Sequence, residues 1–249
     1  MKCVDVRDLV VWYDRVTALN GVSVDVEPAT ALGIVGPNGS GKSTLLKTIA
    51  GLVRPTSGSV HVLETVPREL PPGTIGYVPQ AEDVDYAFPV NVRDVVTMGR
   101  YPRSPWPLPL RPDDRRAIDE AIAALDLDEL QDRRINELSG GQQRRAFVAR
   151  AIAQQPKLLL LDEPTTGVDA ATEDAILALV RRLVAGGMPV LMTTHDLDRA
   201  PEWFDRLIVV DRRILADGKP DAVLASGSYA QIREHTHVHG HRRSDEPPA

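Results

Sequence analysis

Near its start the chain carries short apolar-rich segments at residues 3–11, 22–27 and 31–35, which predict three strands. The third is a continuous apolar run that stops at Gly36, the pattern of a strand buried on both faces. Good helix formers follow over 43–50, and 59–63 and 74–78 predict further strands. The pattern changes between Gln80 and about Pro156, with Asp and Pro punctuation and several prolines between Pro102 and Pro112. Residues 113–130 then predict a helix, because Ala117, Ile118, Ala121, Ile122 and Leu125 fall on one helical face, with Pro112, Asp113 and Asp114 as its start signal. Residues 140–154 predict another, so about 81–156 reads as a mainly helical insert. A buried strand returns at 157–161, a helix over 171–185 stops at Gly186 and Gly187, and strands follow at 189–193 and 207–211. Alternating strands and helices predict an α/β fold with a parallel sheet covered on both faces. Beyond about Arg233 the chain is polar without periodicity and is expected to be disordered. No internal repeat interrupts this order.

Composition narrows the class. With 249 residues the chain can bury a sizeable core, and 43% apolar with 26% charged residues is ordinary for a globular protein. A net charge of -6 argues against nucleic acid as the main partner, since phosphate binding wants a basic footprint. A single cysteine, Cys3, allows no internal disulfide and fits a reducing compartment. No stretch resembles a secretory signal, and the longest apolar runs fall far short of the ~20 residues of a membrane helix. The expectation is a soluble chain whose membrane role, if any, runs through a partner.

Two features carry chemistry. Gly36, Pro37, Asn38, Gly39, Ser40, Gly41, Lys42, Ser43 and Thr44 match G-x-x-x-x-G-K-[ST] in full. Glycines let backbone N–H groups turn inward around phosphate oxygens, and the following helix offers its N-terminus to the anion. Lys42 is placed for the β- and γ-phosphates, Ser43 for Mg²⁺ and Thr44 to support the phosphates. A chance glycine-rich turn would lack the strand before and the helix after. This loop alone leaves kinases and GTPases open. Second, the apolar run 158–161 delivers Asp162 and Glu163 at a strand's C-terminal end, where open α/β sheets bind ligands. That strand is expected beside the P-loop strand, with Asp162 in the Mg²⁺ shell and Glu163 polarising the attacking water.

Leu138, Ser139, Gly140, Gly141 and Gln142 narrow the class to a family: at these residues the chain resembles the ABC ATPases, over about 2–232. A serine and two glycines at a helix N-terminus form a second anion site. The resemblance implies that it serves the partner's ATP, each nucleotide lying between one P-loop and the other copy's Ser139 loop in a head-to-tail dimer. It also implies a RecA-like P-loop core with an antiparallel β subdomain and a helical signature subdomain, one ATPase domain over 1–232 and a flexible tail over 233–249. Tyr13 matches the aromatic that stacks on adenine, although an ordinary half-buried strand tyrosine would look the same. Gln80 matches the glutamine that touches Mg²⁺ and water and senses the membrane partner. Residues 167–169 match the loop facing the opposite copy, and His195 matches the histidine that bonds the γ-phosphate. Catalytic roles thus fall on Glu163, His195 and Gln80, nucleotide binding on Tyr13, the P-loop and residues 139–142, and Mg²⁺ binding on Ser43, Gln80 and Asp162. Two positions depart from many relatives: Pro28-Ala29 replaces a Pro-Gly turn, and Arg144 stands where a glutamine is frequent. Arg144 is expected to bear on contacts beside the partner's nucleotide.

One nucleotide domain without a membrane span implies separate permease subunits, an extracytoplasmic metal-binding protein in the same system, and a place on the inner face of the cell membrane. Residues 83–90 and 94–101 resemble the subgroup serving manganese, zinc or iron uptake. They follow Gln80, where the membrane subunit docks in the family, so they speak to the partner more than to the ion. His235, His237, His239 and His241 alternate in the tail, and imidazole suits Zn²⁺, Ni²⁺ and Cu²⁺. A metal-sensing tail and a merely polar tail are equally compatible with that composition. Members acting on DNA or ribosomes fit less well, because 81–156 is too short for a long coiled coil and only one nucleotide domain is present. An exporter or siderophore-importer subunit shares every catalytic motif and stays open.

Overall fold

The computed structural model describes residues 2–80, 89–103 and 109–226. The N-terminal part runs β1 (Val4–Tyr13), β2 (Val16–Val26), β3 (Ala31–Val35), α1 (Lys42–Ile49), β4 (Ser57–Val62) and β5 (Ile75–Val78). β1 lies between β2 and β4 and is antiparallel to both. Its alternation re-phases at Asp8, which sits at φ 44 where the register with β2 shifts. The irregularity lets Val4 and Val6 before it, and Leu9 and Val11 after it, all reach the core.

The rest of the chain supplies α2 (Val92–Met98), α3 (Pro112–Ala123), α4 (Gly140–Ala153), β6 (Leu158–Leu161), α5 (Ala170–Ala185), β7 (Val190–Thr193), α6 (Ala200–Trp203), β8 (Arg206–Asp211), β9 (Arg213–Gly218) and α7 (Pro220–Leu224). The second sheet has the order β5-β6-β7-β3-β8-β9, with only the edge strand β9 antiparallel to its neighbour. One expectation fails here. The strand ending at Asp162 is not next to β3; β7 lies between them, its Leu191 opposite Leu32 on one side and Leu160 on the other. Sequence order gives no hint of that crossover.

Continuous apolar runs mark strands that feed two cores. In β6, Leu158 and Leu160 pack with β1, β2 and α1, whereas Leu159 and Leu161 pack with the helices on the other face. All four are fully buried, each worth about 1.5–3 kcal/mol over an exposed position. The predicted helix over 113–130 is shorter than expected: α3 ends at Ala123, Asp126 takes φ 53, and a single 3-10 turn covers Asp128–Leu130. Leu125 and Leu127 are buried across that break.

The helical part, α2 to α4, is fastened to itself by Arg100. Its Nε and Nη2 donate to Asp114 Oδ1 at 2.8 and 2.6 Å, and its Nη1 donates to the Ala153 carbonyl at 2.8 Å. Both partners of this ion pair are 5% exposed, and breaking such a pair on one side costs about 3–5 kcal/mol. Of the stretch read as docking surface, Val95, Val96 and Arg100 therefore belong to the interior, and Asp94 closes a capping box with Asn91. Residues 83–88 of that reading, and the histidine tail, lie outside the described residues. No helix among the described residues is long and apolar enough to cross a membrane.

Candidate nucleotide-binding and hydrolysis site

The P-loop leaves β3 at Gly36 and turns into α1 at Gly41. A Cβ on Gly36 would lie 2.0 Å from the Val210 carbonyl oxygen, so β8 closes that position to any side chain. Gly41 adopts φ 102 and caps α1 without a side-chain hydrogen bond. Backbone donors at the start of α1 therefore face the loop, the arrangement that receives an anion. Lys42 folds back over the loop, its Nζ donating to the Gly36 and Pro37 carbonyls at 2.8 and 3.1 Å. Burial pushes its ammonium below the usual value, against the pull of Glu163 and Asp162. An arriving phosphate would relieve that desolvation, and the buried Ser40 hydroxyl, which has no hydrogen-bond partner among the described residues, is a further donor in the same loop.

Two clefts flank this loop. One, of about 390 Å³, is lined by Tyr13, Val16, Thr17 and Ala18, the P-loop residues 38–44, Gln80, Glu163 and Arg212. The other, of about 450 Å³, is lined by Gly36 to Asn38, Gln80, Glu163, Thr166, Thr194 and His195 among others. Gln80 and Glu163 belong to both. Tyr13 is 45% exposed at the mouth of the first, a position suited to stacking on a base.

Three sequence-predicted side chains meet at one carboxylate. Gln80 Nε2 donates to Glu163 Oε2 at 2.7 Å, and His195 Nε2 lies 2.5 Å from Glu163 Oε1. Glu163 is 4% exposed and sits at φ 49, a left-handed conformation that costs a residue with a Cβ roughly 1–2 kcal/mol. Its backbone N–H is held by the Thr193 hydroxyl at 2.7 Å, and the same hydroxyl donates to Asp162 Oδ1 at 2.8 Å. Thr193 thus ties the two acidic residues together from the interposed strand β7. Sequence reasoning passed over it; the signal was a hydroxyl ending an otherwise apolar strand. Asp162 itself is 1% exposed and lines neither cleft.

The donors proposed for Mg²⁺ are all oxygens: the Ser43 hydroxyl, the Asp162 carboxylate and the Gln80 amide oxygen, since Nε2 is the atom engaged by Glu163. Few hard ligands, with phosphate oxygens and water to complete the shell, suit this ion. Among the described residues no cluster of three or more His, Cys, Asp or Glu side chains offers a cage of its own.

The second predicted anion site lies elsewhere. Residues 138–142 line neither cleft of their own chain. Ser139 caps α4: its Oγ accepts from Gln142 N–H at 3.3 Å, and Gln142 Oε1 accepts from Ser139 N–H at 3.0 Å. Read only as an anion site, this S-x-x-Q stretch also forms a capping box. The two glycines differ. A Cβ on Gly140 would meet nothing within 4 Å, whereas on Gly141 it would lie 2.7 Å from Thr172 Oγ1 and 2.9 Å from Asp169 Oδ2. Gly141 therefore serves packing against the start of α5, and Ser139 with Gly140 forms the exposed face.

Arg144, which was expected to bear on contacts beside the partner's nucleotide, is 9% exposed and donates to the carbonyls of Gln80 and Glu163. A basic residue on the alanine-rich inner face of α4 was the available signal.

Comparison with known proteins agrees with these features. Residues 19–166 match the family described as ABC transporter. Over 204 residues the chain is 47% identical to the chelated iron transport system membrane protein YfeB of Yersinia pestis, covering 81% of this chain and 69% of that one. Over 215 residues it is 40% identical to the manganese transport system ATP-binding protein MntB of Halalkalibacterium halodurans, covering 86% and 85%. A dimeric ATP-binding cassette solved in a post-hydrolysis state with ADP and Pi superposes with a TM-score of 0.76 at 26% identity, covering 87% of this chain and 98% of that one.

Proposed function

This chain belongs to the ABC transporter family as an ATP-binding, ATP-hydrolysing subunit, and from that premise we propose that it powers the import of manganese, zinc or iron. The observation that carries the catalytic part is the Glu163 carboxylate, held between Gln80 and His195 where both clefts of the P-loop meet. ATP places its adenine on Tyr13 and its phosphates among the N–H groups of residues 38–44. Lys42 exchanges the carbonyls of Gly36 and Pro37 for the β- and γ-phosphates. Ser43, Asp162 and Gln80 would hold Mg²⁺, which would neutralise charge developing on the phosphates. Glu163 accepts the proton of the attacking water, Gln80 orients that water, and His195 bonds the γ-phosphate.

A second copy completes each site head to tail, with its Ser139 loop at the γ-phosphate. Permease subunits dock beside Gln80 on the cytoplasmic face of the membrane, and an extracytoplasmic metal-binding protein delivers the ion. Residues 1–232 form the ATPase unit, with 81–156 as its helical part and 233–249 as a tail.

The test is accumulation of radiolabelled manganese, zinc and iron in a strain lacking the gene. Uptake of at least one is expected to fall about tenfold or more, and to return with the wild-type chain but not with Glu163→Gln, which keeps ATP binding and loses water activation. Unchanged uptake of all three ions would overturn the import reading. Wild-type hydrolysis by Glu163→Gln would overturn the assignment of the base.

A further inference from the structure

We propose that Arg144 is a positioning residue that joins the partner-facing end of α4 to both catalytic loops. The inference rests on the ATPase reading above and assigns a role to a residue outside its reacting groups. Arg144 lies five residues into the chain beyond Ser139, on the inner face of the same helix. Its Nε donates to the Pro164 carbonyl at 3.1 Å. Its Nη1 donates to the carbonyls of Pro79 and Gln80 at 2.8 and 3.3 Å. Its Nη2 donates to those of Asp162 and Glu163 at 2.8 and 2.7 Å.

Two chain segments 83 residues apart in sequence, spanning the whole helical insert, are thus held by one planar group. They are the segments whose side chains, Gln80 and Glu163, bond each other above it. A guanidinium is always charged at accessible pH and presents its donors in a rigid fork, so it fixes the direction as well as the distance of each carbonyl. Glu163 needs that support because its backbone is left-handed.

The consequence is mechanical. Ser139 and Gly140 sit at the exposed end of α4, where Gly140 has open space around it. A nucleotide on the facing copy that draws this end toward itself moves Arg144 with the helix. Arg144 in turn shifts the backbone under Gln80 and Glu163 together. Hydrolysis is thereby made conditional on engagement of the partner, without any contact between Arg144 and ATP.

The test compares Arg144→Lys and Arg144→Ala with the wild type in ATP turnover, in affinity of the single subunit for a fluorescent ATP analogue, and in thermal midpoint. Misplacing a catalytic group by about 1 Å costs on the order of 100-fold in rate. Arg144→Ala, which removes all five donor contacts, is expected to lose about 100-fold in kcat, and Arg144→Lys, which keeps the charge but not the fork, about tenfold. Both keep KM and nucleotide affinity within about threefold, since neither touches ATP. If the alanine variant fails to fold, the lysine variant decides. A folded variant with kcat within twofold of wild type overturns the inference, as does a loss of kcat matched by an equal loss of nucleotide affinity. A wild type without turnover overturns the ATPase reading itself, whereas active wild type beside undiminished variants overturns the Arg144 role alone.

Discussion

Thr193 shows how much of this site hangs on single atoms. One hydroxyl accepts from the Glu163 N–H and donates to the Asp162 carboxylate, fully buried at the end of β7. Thr193→Val keeps the shape and removes both bonds. It is expected to destabilise the chain by about 1–3 kcal/mol, because a buried N–H and a carboxylate oxygen each lose their partner. Hydrolysis is expected to fall at least tenfold while the P-loop still binds nucleotide; denaturant unfolding and steady-state turnover check the two parts. At this scale the sequence was informative about identity and poor about contact. Lys42, Asp162, Glu163 and His195 were readable because each stands at a fixed offset from a motif or a strand end. Thr193 and Arg144 were not, since their roles depend on which strands and loops become neighbours in three dimensions.

Elements were legible wherever a pattern had one physical cause. β3 and α4 fall within a residue of expectation, β3 because a run buried on both faces admits few alternatives. β9 was not foreseen: its residues alternate between exposed and half-buried at a sheet edge, so the hydrophobic signal is faint. Likewise α3 stops early at a turn that buries Leu125 and Leu127, which had read as a continuing helical face. Among the helix starts, α5 carries a testable charge. Asp169 accepts from the Thr172 N–H and hydroxyl at 2.9 Å each, which holds its carboxyl below the usual carboxylate range. Its folded value is depressed, so the stabilisation is present above the ordinary carboxylate value and is lost as pH falls through the folded one. Thermal midpoints measured from neutral to acid pH are expected to show this loss in the wild type and a shallower one in Asp169→Asn, which still caps but does not titrate.

For the whole molecule, the separation of the Ser139 face from both clefts of its own chain is the strongest argument for two copies. Adding a bulky cation at that face is the direct probe. Ser139→Arg is expected to leave ATP affinity of the isolated subunit within about twofold and to cut turnover at least 100-fold, measured together with ATP-driven dimerisation by light scattering. Intact hydrolysis in that variant would show that the Ser139 face takes no part in the hydrolytic site and would remove this argument for two copies. The sheet order was the part of the architecture least visible in advance, because strand adjacency is decided by crossovers and not by any local pattern.

The strand that intrudes between the lysine loop and the acidic pair also acts as a gauge block. Neighbouring strands stand about 4.8 Å apart, so two steps across the sheet set β3 and β6 nearly 10 Å from each other at their C-terminal edges. Direct adjacency would leave a slot of half that width, enough for one oxyanion. The hydrogen-bond lattice of the sheet thus sets how far apart the strand that feeds the Lys42 loop and the strand that ends at Asp162 and Glu163 stand at their C-terminal edge.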